Sequence, residues 1–151
     1  MSSRLVVLFV ALSFLIVTWI YFLINPSYDK SLRAKYYYEI GDYKEALSLA
    51  KDAFSSDVYN RMASTVMAQS IIAMKYISYI ETAKKYKEII NEIATHAVVS
   101  DADKAKMRLM CQIMISSYVK LAPSVLTDEE LISDAAKYND EFEKLFEKIN
   151  K

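Results

Sequence analysis

The chain has 151 residues, a formal net charge of zero, one Gly, two Pro, one His and one Cys. So little Gly and Pro excludes a fold built on tight β-turns, the balanced charge gives no basic surface for nucleic acid, and a lone Cys111 excludes an internal disulfide framework. The remaining composition, rich in Ala, Leu, Ile, Lys, Glu and Met, favours helix, so the expected fold class is all-α.

The first element is the uncharged run LVVLFVALSFLIVTWIYFLI over 5–24, in which fifteen residues are Leu, Ile, Val or Phe. Twenty residues at 1.5 Å each span ~30 Å, the hydrocarbon thickness of a bilayer. The run is longer than the apolar stretch of a cleaved signal and lacks a small-x-small site, so a single transmembrane anchor over 1–25 is expected. Trp19, Tyr21 and Tyr28 fall where an interfacial aromatic belt belongs. Orientation is nearly balanced: Arg4 lies on one side and Lys30, Arg33 and Lys35, less Asp29, on the other. That count slightly favours a cytoplasmic C-terminal part, but a first segment with a short basic tail commonly sends its C-terminal part across, so residues 26–151 are expected in the periplasm of a bacterial inner-membrane protein.

Asn25-Pro26 should end that helix and start the next, since Pro suits the first helical position. A helix through Leu32, Tyr36, Tyr37 and Ile40 then reaches Gly41, the only glycine, where a left-handed residue closes a helix. Ala46, Leu47, Ala50, Ala53 and Phe54 give the next helix its spacing, Ser55-Ser56-Asp57 interrupts it, and Asp57 is expected to cap a third. That third helix carries Met62, Val66, Met67, Ser70, Ile71 and Met74; a fourth carries Ile80, Ala83, Tyr86, Ile90, Ile93 and Ala97. Ser100 and Asp103 form a capping pair ahead of Met107, Met110, Met114, Ser117, Tyr118 and Leu121, a helix that Ala122-Pro123 should end. Thr127 and Glu130 have capping-box spacing ahead of Leu131, Ala135, Tyr138, Phe142, Leu145, Phe146 and Ile149. Six helices paired as three antiparallel hairpins are expected after the anchor.

Gly41-Asp42-Tyr43-Lys44-Glu45-Ala46-Leu47, with Ala50 and Ala53 following, resembles the turn and second helix of a tetratricopeptide repeat (TPR). In that family Gly makes the turn, the aromatic wedges between helices and the alanines allow close approach, roles that carry onto Gly41, Tyr43, Ala46 and Ala53. Ala34 and Tyr37 match upstream positions; Lys30, Arg33 and Val58 depart from the pattern, and Ala83 is a weak second copy. The resemblance covers about a quarter of the chain and implies a TPR-like hairpin array over 26–151 that binds proteins.

Residues that carry chemistry are sparse. His96 has no His or Cys neighbour for a metal site, Cys111 sits among apolar residues, and the carboxylates near 128–130 and 140–143 suit helix caps and solvated faces. No catalytic residue, metal ligand, cofactor or small-molecule substrate is expected, so the chain reads as non-enzymatic. Tyrosine is abundant, twelve in all, and consecutive Tyr36, Tyr37 and Tyr38 point in three directions on a helix, so they cannot share one buried face. Tyr36, Tyr38, Tyr76 and Tyr79 are therefore the candidate protein-binding residues. The methionines have core spacing. Two classes of function remain. One is a scaffold in a bacterial envelope machine, with the layout of accessory proteins around flagellar motors. The other is a helper that binds transient polypeptide segments, resembling translocon-associated or mitochondrial import-receptor TPR proteins.

Overall fold

The computed structural model describes residues 3–96 and 98–150, with side chains described over 5–20, 25–96 and 98–150. Every regular element is a helix: α1 (Ser3–Ile24), α2 (Pro26–Glu39), α3 (Tyr43–Ser56), α4 (Arg61–Ala94), α5 (Asp101–Tyr118) and α6 (Glu129–Asn150). The all-α expectation holds. The chain divides into two compact units, Met1–Ser70 and Ile71–Lys151, so α4 contributes its first turns to one and the rest to the other.

The anchor expected over 5–24 requires correction. The segment is helical, but among the described residues no helix is long and apolar enough to cross a membrane. The expected belt residue Tyr21 lies outside the described side chains, which run from Leu5 to Ile20 in this helix. Over that stretch the side chains are exposed on every face. Ser13 and Thr18 turn their hydroxyls back onto the carbonyls of Val10 and Phe14, each at 2.8 Å.

In the first unit, Asn25 and Pro26 open α2 as the spacing requires. At its far end Gly41 adopts φ +83°, its N–H donates to the Tyr38 carbonyl at 3.1 Å, and Asp42 N–H donates to the Tyr37 carbonyl at 2.9 Å. This pair of bonds is a Schellman motif, which satisfies carbonyls that a helix end leaves unbonded. Asp42 then caps α3 by accepting from Glu45 N–H at 3.1 Å. A three-residue link, Ile40 to Asp42, sends α3 back along α2: Ser27, at the start of α2, donates to the carbonyl of Ala53, near the end of α3, at 2.9 Å. Ala34, Ala46 and Ala50 are fully buried at the contact and pack with Val66 of α4. Small side chains there permit close helix approach, with Tyr37, Leu49 and Met62 closing the margins.

The cap expected at Asp57 belongs instead to Asn60, whose Oδ1 accepts from Ala63 N–H at 3.1 Å. Asp57 bonds the N–H of Tyr59 in an Asx turn at 2.9 Å. The third and fourth helices expected from the sequence are one 34-residue helix, α4. The segment 74–80 contains no Gly, Pro, Asn or Asp to stop it, and Tyr76, Tyr79, Ile80 and Ala83 keep helical spacing through the supposed break. Five helices therefore follow α1, and the three-hairpin pairing is replaced by one hairpin and a three-helix unit. Ala97, placed on the fourth helix by its spacing, lies outside the described residues.

The second unit packs the later turns of α4 against α5 and α6. Its core joins Tyr76, Tyr79, Ile80, Ala83, Ile90 and Ile93 to the α5 residues Met107, Met110, Cys111 and Met114; Ala135 and Phe142 come from α6. Full burial of Phe142 alone contributes roughly 1.5–3 kcal/mol. Ser100 caps α5 as expected, accepting from Asp103 N–H at 3.1 Å while its hydroxyl donates to the Asp103 carboxylate at 2.7 Å. That hydroxyl bond holds the exposed Asp103 carboxyl below its ordinary pKa. α5 ends at Tyr118, earlier than Pro123 demands, through a tightened turn in which Leu121 N–H reaches the Tyr118 carbonyl at 2.9 Å. The capping box expected at Thr127 does not form. Thr127 Oγ1 accepts from Ser124 N–H at 2.8 Å within the loop, and Asp128 meets the helix by accepting from Glu130 N–H at 2.9 Å.

Candidate functional site

The α2–α3 hairpin fixes the face of α2 that solvent sees. Ser27, Ser31 and Ala34 are buried on the inner side, with Tyr37 and Tyr38 half-buried beside them. The outer side carries Tyr28, Leu32, Tyr36 and Ile40, exposed by 41, 43, 61 and 57%. Residues four apart are neighbours on a helix, so these four form a continuous apolar ridge that winds slowly about α2. Exposed Arg33 and Asp29 border it on one side and Lys35 and Glu39 on the other, the last two paired at 3.8 Å. An exposed apolar strip with a charged border has the anatomy of a contact surface: an apolar centre and a polar rim.

The candidate tyrosines divide. Tyr36 stands on the ridge, its ring edge-on to Tyr37 with centroids 5.6 Å apart and planes at 74°. Tyr38 is half-buried and meets Tyr43 edge-to-face at 5.2 Å, bracing the turn from both sides. Tyr76 and Tyr79 are core residues, 3 and 5% exposed, because α4 runs straight through the place where a turn would have brought them to the surface. They are corrected from surface candidates to packing residues. Burial raises the Tyr76 hydroxyl above its usual pKa and pushes Tyr79 up to about 12, with Tyr118 and Glu143 adding to the latter. Tyr43, Ala46 and Ala53 are buried in the hairpin, and Gly41 makes its turn, as their expected packing roles require.

No family model, curated protein or solved structure matches the chain.

Among the described residues no three His, Cys, Asp or Glu side chains group as metal ligands. His96 is exposed. Cys111 is fully buried, and burial raises its thiol pKa.

Two features escaped the sequence reading. The ridge was legible in principle, since Tyr28, Leu32, Tyr36 and Ile40 repeat at intervals of four. The second is a buried polar node beneath it. Asn60, 3% exposed, donates to the Ser27 carbonyl, Ser27 Oγ and Ser31 Oγ at 3.2, 2.9 and 3.2 Å. Ser31 Oγ in turn donates to the Tyr28 carbonyl at 3.0 Å. The node ties the inner face of α2 to the start of α4 and so holds the ridge in place. On the same hairpin Lys30 reaches Asp52 at 3.5 Å, an exposed pair worth little alone.

Proposed function

We propose that this chain is a non-enzymatic scaffold or adaptor that binds partner proteins through a TPR-like α2–α3 hairpin, with the α2 ridge as its contact surface. The observation that carries the reading is the strip Tyr28, Leu32, Tyr36, Ile40, an apolar ridge bordered by charge on a helix whose other face is anchored by close packing and a buried polar node. A rigid helix presenting a tyrosine and aliphatic side chains supplies contact area at low entropic cost. Gly41, Tyr43, Ala46 and Ala53, the residues of the TPR resemblance, build the hairpin that presents it. Among assemblies, we favour an envelope machine of a bacterium, with a flagellar-motor periplasmic scaffold as the specific case; the support is the repeat resemblance and the Lys-, Ile- and Tyr-rich, Gly-poor composition. The competing helper would need an open apolar groove to take transient segments, whereas the α2 surface is a ridge, which favours a lasting interface.

In-cell crosslinking of the full-length chain, followed by purification and mass spectrometry, tests the proposal. A fixed set of partners in constant ratio, lost with Tyr36→Ser, supports a scaffold acting through the ridge. Many unrelated exported polypeptides, or a set indifferent to Tyr36→Ser, would reject it.

A further inference from the structure

A second surface lies in the second unit. Between the last turns of α4 and the second half of α6 runs a groove of about 380 Å³. Its floor is apolar, made by Ile90, Ala94, Phe142 and Leu145. Three ammonium groups stand along its walls, Lys87, Lys144 and Lys148; Glu141 pairs with the first and Asp140 with the second, which leaves an excess of one positive charge, at Lys148. Lys87 is held at 2.6 Å from Glu141 and 5.4 Å from the centre of the Tyr138 ring, which fixes one wall. Lys144 sits 2.6 Å from Asp140, and the bond to that carboxylate raises its pKa, keeping it charged. Lys87 pairs with Glu141, and Ala94 and Lys148 lie seven residues further along the two helices. The walls therefore run in the same direction for two turns, or ~10 Å.

We propose that this groove takes an acidic amphipathic helix from a partner protein, an inference that rests on the protein-binding reading but uses a different surface. Two parallel helices with an apolar floor leave the position a further helix occupies in a bundle. Two turns accommodate side chains spaced i, i+4 and i+7, the spacing by which an amphipathic helix enters a groove. The one excess positive charge, at Lys148, favours Glu or Asp beside those anchors over a basic residue. An extended sixteen-carbon acyl chain, ~20 Å long, is about twice the groove's length, which disfavours a lipid carboxylate as the occupant.

The test is selection of a displayed library of 18-residue amphipathic peptides, randomised at their polar positions, against the full-length chain held in mild detergent. Acidic sequences should be enriched, and the double variant Lys144→Glu, Lys148→Glu should weaken a selected peptide by about tenfold. Both side chains are exposed, so charge reversal should leave the fold intact, which circular dichroism verifies. Asn91→Trp, which fills the groove from an exposed helical position, should block the same peptide without altering charge. Tyr36→Ser should leave the peptide unaffected, so failure of the groove and failure of the α2 ridge are read separately. Enrichment of neutral or basic peptides, no enrichment, or binding indifferent to both groove variants would overturn the proposal. Displacement of the peptide by palmitate at a stoichiometric level would also overturn it, reassigning the groove to a lipid carboxylate.

Discussion

Asn60 Nδ2 lies 2.9 Å from Ser27 Oγ, joining residues 33 apart in sequence inside a core otherwise made of alanine and aliphatic groups. With the neighbouring bonds to the Ser27 carbonyl, Ser31 Oγ and Ala63 N–H, Asn60 has both ends of its amide engaged. A buried amide so placed stabilises modestly while its bonds are made and is costly when one partner is lost. Replacing it should therefore do more harm than its net contribution suggests. Asn60→Ala should destabilise the first unit by about 2–3 kcal/mol, through the lost cap and the stranded serine groups. Asn60→Asp keeps the acceptor for Ala63 but loses the donor, and should also be destabilising. Urea unfolding followed by circular dichroism checks both; an unchanged midpoint for Asn60→Ala would mean that the node carries no stability.

Gly41 has φ +83° and nothing within 4 Å of the position a Cβ would take. Steric room is thus ample and the cost of a side chain lies in the backbone alone. Gly41→Val should destabilise by more than about 1 kcal/mol, while Gly41→Asn, which tolerates left-handed backbone, should cost less. Thermal melting ranks the two, and an equal loss for both would show that something other than backbone conformation governs the turn.

The Tyr79 hydroxyl is buried and forms no hydrogen bond. Tyr79→Phe should consequently be neutral or slightly stabilising at neutral pH. Because burial lifts its pKa to about 12 from the ordinary tyrosine value of 10.0, the folded form keeps the proton longer than the unfolded form does. Its contribution is fully present below pH 10 and is lost as pH rises toward 12. Stability of the natural chain should fall through that window more steeply than that of Tyr79→Phe. Parallel slopes in denaturant titrations at pH 9, 10 and 11 would contradict the assignment.

Cys111 is fully buried with its thiol pKa raised. Both the closed surroundings and the scarcity of thiolate oppose modification. Labelling with iodoacetamide at pH 8 should be slow in the native chain and accelerate with denaturant in step with unfolding of the second unit. Fast labelling without denaturant would place the thiol in a segment that opens locally.

Helix existence was legible wherever a local signal dictated it. Gly41 announces a left-handed end, Ser100 with Asp103 a start, and the apolar face of α6 from Leu131 to Ile149 a buried stripe. What failed depended on competition between neighbours. Asp57 and Asn60 are both good caps, and Asn60 wins because its amide can also donate to Ser27 and Ser31, bonds that exist only once α2 is docked. Thr127 loses its capping role to a nearby loop bond from Ser124, and Asp128 takes over at the helix start. The break expected between Met74 and Ile80 has no stop residue behind it; in the fold the rings of Tyr76 and Tyr79 complete the core with Met114. The transmembrane expectation over 5–24 rested on the apolar run alone, and among the described residues no helix is long and apolar enough to cross a membrane. The contact surfaces were less legible still, since exposure of Tyr28 and Leu32 is set by which face of α2 meets α3.

The four buried residues of α5 are Met107, Met110, Cys111 and Met114, so the most deeply buried part of its inner face is sulfur-bearing, with Ile115 and Tyr118 packed beside it. Thioethers on unbranched chains fill space without imposing a shape, which lets α5 adjust as its neighbours move and lets the second unit accommodate an inserted side chain without a rigid mismatch. The same chemistry sets a hazard. Conversion of any of these methionines to a sulfoxide would place a strong dipole where only apolar contact is available. Peroxide that reaches these thioethers should therefore loosen α5 and, with it, the core it shares with α4 and α6.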